Sequence, residues 1–296
     1  MYGLIFIHTP CTCSGFCMPV STRPRTIQTL ADLMRTRRTV VLSGAGVSTE
    51  SGIPDYRGPD SPRRERAPIS YQEFVGDVEA RRRYWARSSV GWPRFTAARP
   101  NAGHEALSKL EAAGYVSGVI TQNVDGLHQA AGSTDVVELH GALADVRCLR
   151  CGRRTDRSAY QRRLMQVNPG WPPDAAALAP DGDAVLPDAA TTSFRVPGCQ
   201  RCGGILKPDV VFFGESVPRR WVDAAWELFE RAEMLLVVGS SLAVYSGLRF
   251  VRRAANEARP VGIVNLGPTR GDAHARLRIE GRTGILLPRL AETMGV

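Results

Sequence analysis

Apolar residues recur along this chain at two spacings. At helical intervals, Ile27, Leu30, Leu33 and Met34 mark one face of a helix over 25–37. Residues 70–90 read as one or two amphipathic helices, and "PNAGHEALSKLEAAG" as a helix with Pro100 near its start and Gly114 as its stop. Further helices are expected at "VDGLHQAAG", 219–231 and 246–258. Between them lie short apolar runs of strand character: Val40 to Leu42, "SGVITQ", "DVVELHG", "MLLVVG", "GIVNLG" and a last strand "GILL" before a short helix. Strands separated by helices predict a Rossmann-like, doubly wound parallel α/β sheet covered on both faces. Ligands of such sheets bind beyond the carboxyl ends of the strands, so chemistry is sought in "SGAG", "TQNVD", "LHG", "VGSSL" and "VNLG".

The 296 residues suffice for one large domain, or a large and a small one. A hydrophobic fraction of 43% with 23% charged residues is ordinary for a globular protein, and no run of 18 apolar residues is present, so no membrane partner is expected. The net charge of +9 raises the question of nucleic acid, but Lys109 and Lys207 are the only lysines among 38 basic residues. Such arginine bias reads first as codon usage of a GC-rich bacterial genome, which disfavours a nucleic-acid partner and favours a cytoplasmic protein. Arginine-dense runs such as "EARRRYWAR" read as solvated helix faces. The stretch before residue 25 makes a poor signal peptide. A start at Met18 would leave Cys11, Cys13 and Cys17 outside the native protein.

Residues 40–58, "VVLSGAGVSTESGIPDYRG", open like a dinucleotide fold, with Gly44-Ala45-Gly46 allowing backbone N–H groups close to a pyrophosphate. The third glycine of the dehydrogenase fingerprint is missing: Thr49 stands there and the next glycine is Gly52. The ribose-binding acid is missing too, since "GPDSPRRERAP" cannot be a buried strand. An oxidoreductase is therefore disfavoured, and the turn is either a nucleotide loop or an ordinary strand-to-helix connection. Gln122, Asn123 and Asp125 crowd one strand end, and His140 stands at another, where it is either a structural histidine or a general base.

Cys148-x-x-Cys151 and Cys199-x-x-Cys202 each precede a glycine. Two such knuckles can close a four-sulfur Zn²⁺ site; disulfides are the alternative, less suited to a cytosolic chain. With four positions filled by sulfur, such a metal holds structure and activates no water. The expected organisation is an N-terminal extension (1–24), a dinucleotide-binding domain (25–140 with 210–296) and a small zinc module (141–209). The Pro-, Ala- and Asp-rich run 168–190 is a long excursion.

Together these segments resemble the sirtuins, NAD-dependent protein-lysine deacylases. The resemblance rests on "GAGVSTESGIPDYRG", "TQNVD", "HG", both cysteine pairs, "KPDVVFFGE", "VGSSL" and "VNLGPT", in family order from about residue 40 to 290. The wording of "YWAR", "LAPDGD" and "VVFFGE" is most similar to the class II branch, whose mitochondrial member is associated with lipoamidase and ADP-ribosyl transfer. The resemblance implies NAD as cofactor and acylated-lysine peptides as partners, beside the Zn²⁺ expected from the cysteine pairs; a monomer is expected. It implies cofactor contacts from Gly44, Ala45, Gly46, Thr49, Ile53, Pro54, Asp55, Tyr56 and Arg57, from Gln122, Asn123 and Asp125, and from Gly239, Ser240, Ser241, Asn265, Leu266 and Gly267. His140 would be the base that takes a ribose hydroxyl proton after the acyl oxygen attacks the carbon vacated by nicotinamide, with O-acyl-ADP-ribose and free lysine as products.

The peptide would lie as a strand between "VVFFGE" and "LAVYSG", against Val211, Phe212, Phe213 and Gly214. Val211 and Phe213 would line the acyl tunnel, although by periodicity alone they are a buried strand. Tyr56 stands where the family commonly has Phe, and Phe212 where many deacetylases have Trp. Tyr84 and Arg87 resemble a pair that binds acidic acyl groups, yet at this helical spacing they also read as plain surface neighbours. Mono-ADP-ribosyl transfer at the same site and a non-catalytic ADP-ribose module are the rival readings.

Overall fold

The computed structural model describes residues 26–58, 68–171, 183, 184, 186 and 188–296. The expected N-terminal extension and most of the 168–190 excursion lie outside the described residues. The helices are α1 (Ile27–Arg35), α2 (Tyr71–Gly76), α3 (Val78–Ala97), α4 (Ala102–Ala112), α5 (Leu127–Ala130), α6 (Arg157–Val167), α7 (Arg219–Glu230), α8 (Tyr245–Asn256) and α9 (Thr283–Met294). The strands are β1 (Thr39–Ser43), β2 (Val116–Thr121), β3 (Val136–Glu138), β4 (Gly141–Cys148), β5 (Arg154–Asp156), β6 (Leu206–Val210), β7 (Met234–Val238), β8 (Val261–Asn265) and β9 (Leu277–Glu280). Among these residues, β3-β2-β1-β7-β8-β9 form a parallel sheet and β5-β4-β6 a small antiparallel one.

The parallel sheet is doubly wound because successive strand side chains point to opposite faces and both faces are apolar. Val41, Val119, Leu236 and Val238 pack with Leu30 and Met34 of α1, Leu107 and Leu110 of α4, and Leu287, Leu290 and Met294 of α9. Their neighbours Val40, Leu42, Ile120, Leu235 and Val237 pack with Leu228 and Phe229 of α7 and Leu248, Phe250 and Val251 of α8. The expected last strand at "GILL" is corrected by this packing: residues 284–287 lie in α9. The strand is β9, where buried Leu277 and Ile279 alternate with more exposed residues. Leu287, Leu290, Ala291 and Met294 share one helical face, and that spacing prevails over the local apolar run.

A second core surrounds the cysteines. It joins Val146, Tyr160, Leu164, Phe194 and Leu206 to Phe74 of α2 and Tyr84 and Trp85 of α3. Trp85 is fully buried, donates its indole N–H to the Leu206 carbonyl at 3.1 Å and meets Tyr160 edge-on at 4.8 Å. The helical pair 71–97 thus packs with the small sheet, so this lobe draws on more chain than 141–209.

Two strands carry the chain between the lobes. β4 leaves directly after His140, and β6 returns into Val211, with Gly141 paired to Val210. The Val211 N–H donates to the His140 carbonyl at 2.8 Å. Gly141 is required at this crossing: its φ is +78, and a Cβ there would lie 2.1 Å from the Asp209 carbonyl oxygen.

Candidate active site

The sheet order reverses at β1, which has β2 on one side and β7 on the other, so a crevice opens beyond their carboxyl ends. A cavity of about 930 Å³ occupies it and runs between the lobes. Gly44 and Gly46 close its floor against Gly239: a Cβ on Gly46 would lie 2.9 Å from the Gly239 carbonyl oxygen, and one on Gly44 2.7 Å from Ser240 Cβ. The first and fourth strands of the winding therefore meet backbone to backbone, which leaves room for a bulky anion above them.

The cavity is lined by Gly44, Ala45, Gly46, Ile53, Asp55, Tyr56 and Arg57 from the segment after β1. Gln122, Asn123 and Asp125 reach it from the loop after β2, and His140 from the lobe crossing. Gly239, Ser240 and Ser241 follow β7; Asn265, Leu266 and Gly267 follow β8; Val211, Phe212, Phe213 and Gly214 follow β6. Thr49 and Pro54 are not among the lining residues; the Thr49 hydroxyl turns back to the Gly46 carbonyl at 3.2 Å, spent on closing the short helical turn.

The extended reading of "LAVYSG" also holds only in part, since Tyr245, Ser246 and Gly247 begin α8. Tyr84 lines the cavity and is buried against Phe74 and Phe212, so it is no surface neighbour. Arg87, three residues further along α3, is not among the lining residues.

Beneath the cavity lies a hydrogen-bonded set that includes Ser48, which the motif reading passed over. The Ser48 hydroxyl donates to Asp125 Oδ2 at 2.7 Å and accepts from Asn123 Nδ2 at 3.1 Å. Asn123 Nδ2 also reaches the Gly44 carbonyl at 3.1 Å, while the Leu127 N–H donates to Asp125 Oδ1 at 2.9 Å. His104 Nδ1 accepts from the Asn101 N–H at 3.4 Å, leaving Nε2–H to face Ser48 Oγ at 3.5 Å. Every link then pairs a donor with an acceptor. Asn101, the N-cap of α4, ties that helix to the glycine loop by donating to the Val47 carbonyl (2.7 Å) and Ser51 Oγ (2.9 Å). Withdrawal from water raises the Asp125 carboxyl above its ordinary value, against the hydrogen bonds from Leu127 and Ser48 that lower it.

His140 Nδ1 lies 3.0 Å from the Gln122 carbonyl, which can only accept, so the proton sits on Nδ1. Nε2 therefore keeps its lone pair, and burial lowers the ring's affinity for a proton. A neutral imidazole at the cavity wall has the state a general base requires.

The segment after β6 is braced by Lys207, a buried amine that pairs with Glu215 at 3.0 Å and contacts the Val210 carbonyl. Glu215 in turn accepts from the Phe212 N–H at 2.9 Å. Phe213 next to this closed loop of bonds is 42% exposed, and Val244 and Tyr245, which line the same cavity, are exposed too.

Away from the cavity, the Sγ atoms of Cys148, Cys151, Cys199 and Cys202 all lie within 4.8 Å of one another, with Cys148–Cys202 at 3.5 Å and Cys151–Cys199 at 3.8 Å. A disulfide needs ~2.05 Å, whereas a tetrahedron with Zn–S of ~2.3 Å has edges of ~3.8 Å. The four thiols are free and placed to bind a zinc ion. No helix among the described residues is long and apolar enough to cross a membrane.

Comparison with known proteins agrees with this geometry. The sequence model of the Sir2 family matches residues 44–246. "NAD-dependent protein deacetylase 1" of Streptomyces coelicolor is 54% identical over 267 residues, covering 90% of this chain and 89% of its own. The bovine "NAD-dependent protein lipoamidase sirtuin-4, mitochondrial" is 49% identical over 255 residues, covering 85% of this chain and 81% of its own. A solved structure described as "Sir2-p53 peptide-NAD+" superposes with a TM-score of 0.74 at 32% identity, across 90% of this chain and 98% of that one.

Proposed function

Because the chain belongs to the Sir2 family, we propose that it removes acyl groups from protein lysines with NAD as co-substrate, and that His140 is the base of this reaction. The observation that carries the reading is the His140 ring, its Nδ1 fixed by Gln122 and the residue lining the same cavity as the glycine loop and Asp125.

NAD fits the cavity: the backbone-to-backbone floor at Gly46 and Gly239 admits a pyrophosphate, and it supplies a ribose carbon from which nicotinamide departs. Ile53, Asn123 and Asp125 surround the place for the carboxamide, with Ser48 holding Asp125 in orientation. Ser240 and Asn265 face the phosphate and adenosine end. Phe213, Val244 and Tyr245 offer a peptide an exposed apolar trench, and the acyl chain passes inward beside Val211 and Phe212. His140 Nε2 accepts the ribose hydroxyl proton, which frees that oxygen to attack the acyl carbon. The zinc site stands apart and takes no part in the chemistry.

The lining around Tyr84, Phe95, Leu143 and Phe212 is apolar, and Arg87 is missing from it, so acetyl and longer apolar acyl groups are favoured over acidic ones. The test is a panel of acetyl-, lipoyl-, succinyl- and glutaryl-lysine peptides with NAD, following nicotinamide and the ribose product by mass. O-acyl-ADP-ribose from acetyl or lipoyl peptide is expected, with His140→Tyr folded and inactive. ADP-ribosylated protein without O-acyl-ADP-ribose would instead point to transferase activity, and faster turnover of succinyl peptide would overturn the apolar preference.

A further inference from the structure

His140 is engaged at both ring nitrogens. Gln122 holds Nδ1, and Nε2 lies 2.8 Å from Ser246 Oγ. Since Nε2 carries the lone pair, the Ser246 hydroxyl must donate to it. Ser246 sits in the first turn of α8, lines the cavity and accepts at its carbonyl from Arg249 Nε at 3.1 Å. The Arg249 guanidinium lies over the rings of Trp226 (5.6 Å) and Phe250 (5.2 Å), and its Nη2 is shut from solvent with no hydrogen-bond partner among the described residues. Through Ser246 this arginine is linked to the base by two successive hydrogen bonds, and among the described residues it forms no ion pair.

We propose that Ser246 and Arg249, one turn apart on α8, are positioning residues for the base: Ser246 aligns the His140 ring through Nε2, and Arg249 opposes the charging of that ring. The inference rests on His140 being the base. Other charged groups at the cavity come from separate elements: Asp55 and Arg57 after β1, Asp125 after β2, Glu215 after β6 and Arg270 after β8. It is the Arg249 charge that acts on the His140 ring, in the same direction as burial. A donor hydroxyl on Nε2 favours the neutral imidazole, and so does a nearby cation. Together they keep Nε2 unprotonated at mildly acidic pH, ready to take a proton once the ribose hydroxyl replaces the serine hydroxyl on it, and make the imidazolium formed in the reaction a better acid for the steps that follow.

The experiment is the pH profile of kcat/KM from about 5.5 to 9 for the wild type, Arg249→Gln, Arg249→Lys, Ser246→Ala and His140→Ala, with NAD and one acyl-lysine peptide. The His140 Cε1–H resonance is titrated in parallel, which reads the ring directly in any variant that folds. Removing the charge should move the acid limb and the resonance alkaline by about half a pH unit or more, so that activity at low pH falls roughly threefold beyond any loss on the plateau. Arg249→Lys should restore most of the shift. Ser246→Ala should move both readouts in the same direction and lower kcat more than it raises KM. An unmoved limb and resonance in both Arg249→Gln and Ser246→Ala would overturn the proposal, as would a Lys variant shifted as far as Gln. Turnover retained in His140→Ala would instead refute the base itself, a result separable from the other two. A variant that does not fold leaves its partner variant on the same turn to decide.

Discussion

Ser48 shows how much a single hydroxyl can carry. It is buried, sits between Asp125, Asn123 and His104, and supplies the shortest hydrogen bond to Asp125 in that set. A serine in a glycine-rich loop draws no attention in a sequence, because serine is ordinary in turns. Its partners lie in β2's loop and α4, and only the fold assembles them. Ser48→Ala leaves Asp125 with one fewer donor and Asn123 with one fewer acceptor. Loss of a hydrogen bond to a carboxylate is worth about 1.5–3 kcal/mol, so kcat/KM for NAD should fall by roughly ten- to hundredfold with little change in the peptide KM. Steady-state kinetics with NAD varied would check this, and an unchanged kcat/KM would remove Ser48 from the site. His140 and Asp125 were legible by comparison, since a histidine and an amide-rich loop at strand ends of a parallel sheet are unusual unless used. Thr49 shows that adjacency in a motif does not by itself turn a side chain toward a cavity, since its hydroxyl closes a helical turn on the Gly46 carbonyl.

Among the elements, β4, β5 and β6 depend on something besides burial. Three short strands of 8, 3 and 5 residues bury little by themselves, and the two cysteine knuckles join the end of β4 to the segment before β6. A zinc ion there would fix the spacing of the two strands that carry His140 and Val211 across to the parallel sheet. Prolonged chelation should therefore expose Trp85 and raise proteolysis within 141–210 while the parallel sheet keeps its circular dichroism. Tryptophan fluorescence and limited proteolysis of chelated and zinc-restored protein would check it; unaltered protection on metal removal would show that the Trp85–Tyr160 core suffices alone. At the C-terminus the run "GILL" belongs to a helix although its local pattern also suits a strand. An apolar tetrapeptide fits strand and helix equally, and the decision came from Leu290 and Met294 further along the same face.

For the whole molecule, the two buried histidines beneath the cavity set a pH limit. His104 and His128 are fully buried, their rings 4.9 Å apart, with burial the main cause of pKa values lowered to about 4 and about 3. An unfolded chain would bind protons there near pH ~6.5, while the folded one refuses them until far lower. Above ~6.5 both states are neutral and stability is insensitive to these rings. As pH falls from there toward the folded values, stability is lost, at a limiting slope of about 1.4 kcal/mol per pH unit for each histidine. Asp125 and Glu138, whose carboxyls burial raises, act in the opposite sense at the lower end of that range. Urea unfolding at a series of pH values should show this fall, and His104→Asn or His128→Asn should flatten it. An equal slope in both variants would assign the acid sensitivity elsewhere.

Alternating apolar runs and helical spacings were enough to specify the parallel sheet, its two helical layers and the strand ends where polar loops gather. That is so because burial on both faces of a sheet is a property of each local segment. The cysteine pairs likewise announced a metal site through their own spacing. What only the tertiary structure decided is everything that depends on distant segments touching. It set the meeting of Gly46 with Gly239 and the Ser48 network. It also drew α2 and α3 into the second core, and it placed Ser246 of α8 against a histidine from the other side of the sheet. Such contacts leave no periodic trace, since each partner obeys only the pattern of its own element and the contact belongs to neither.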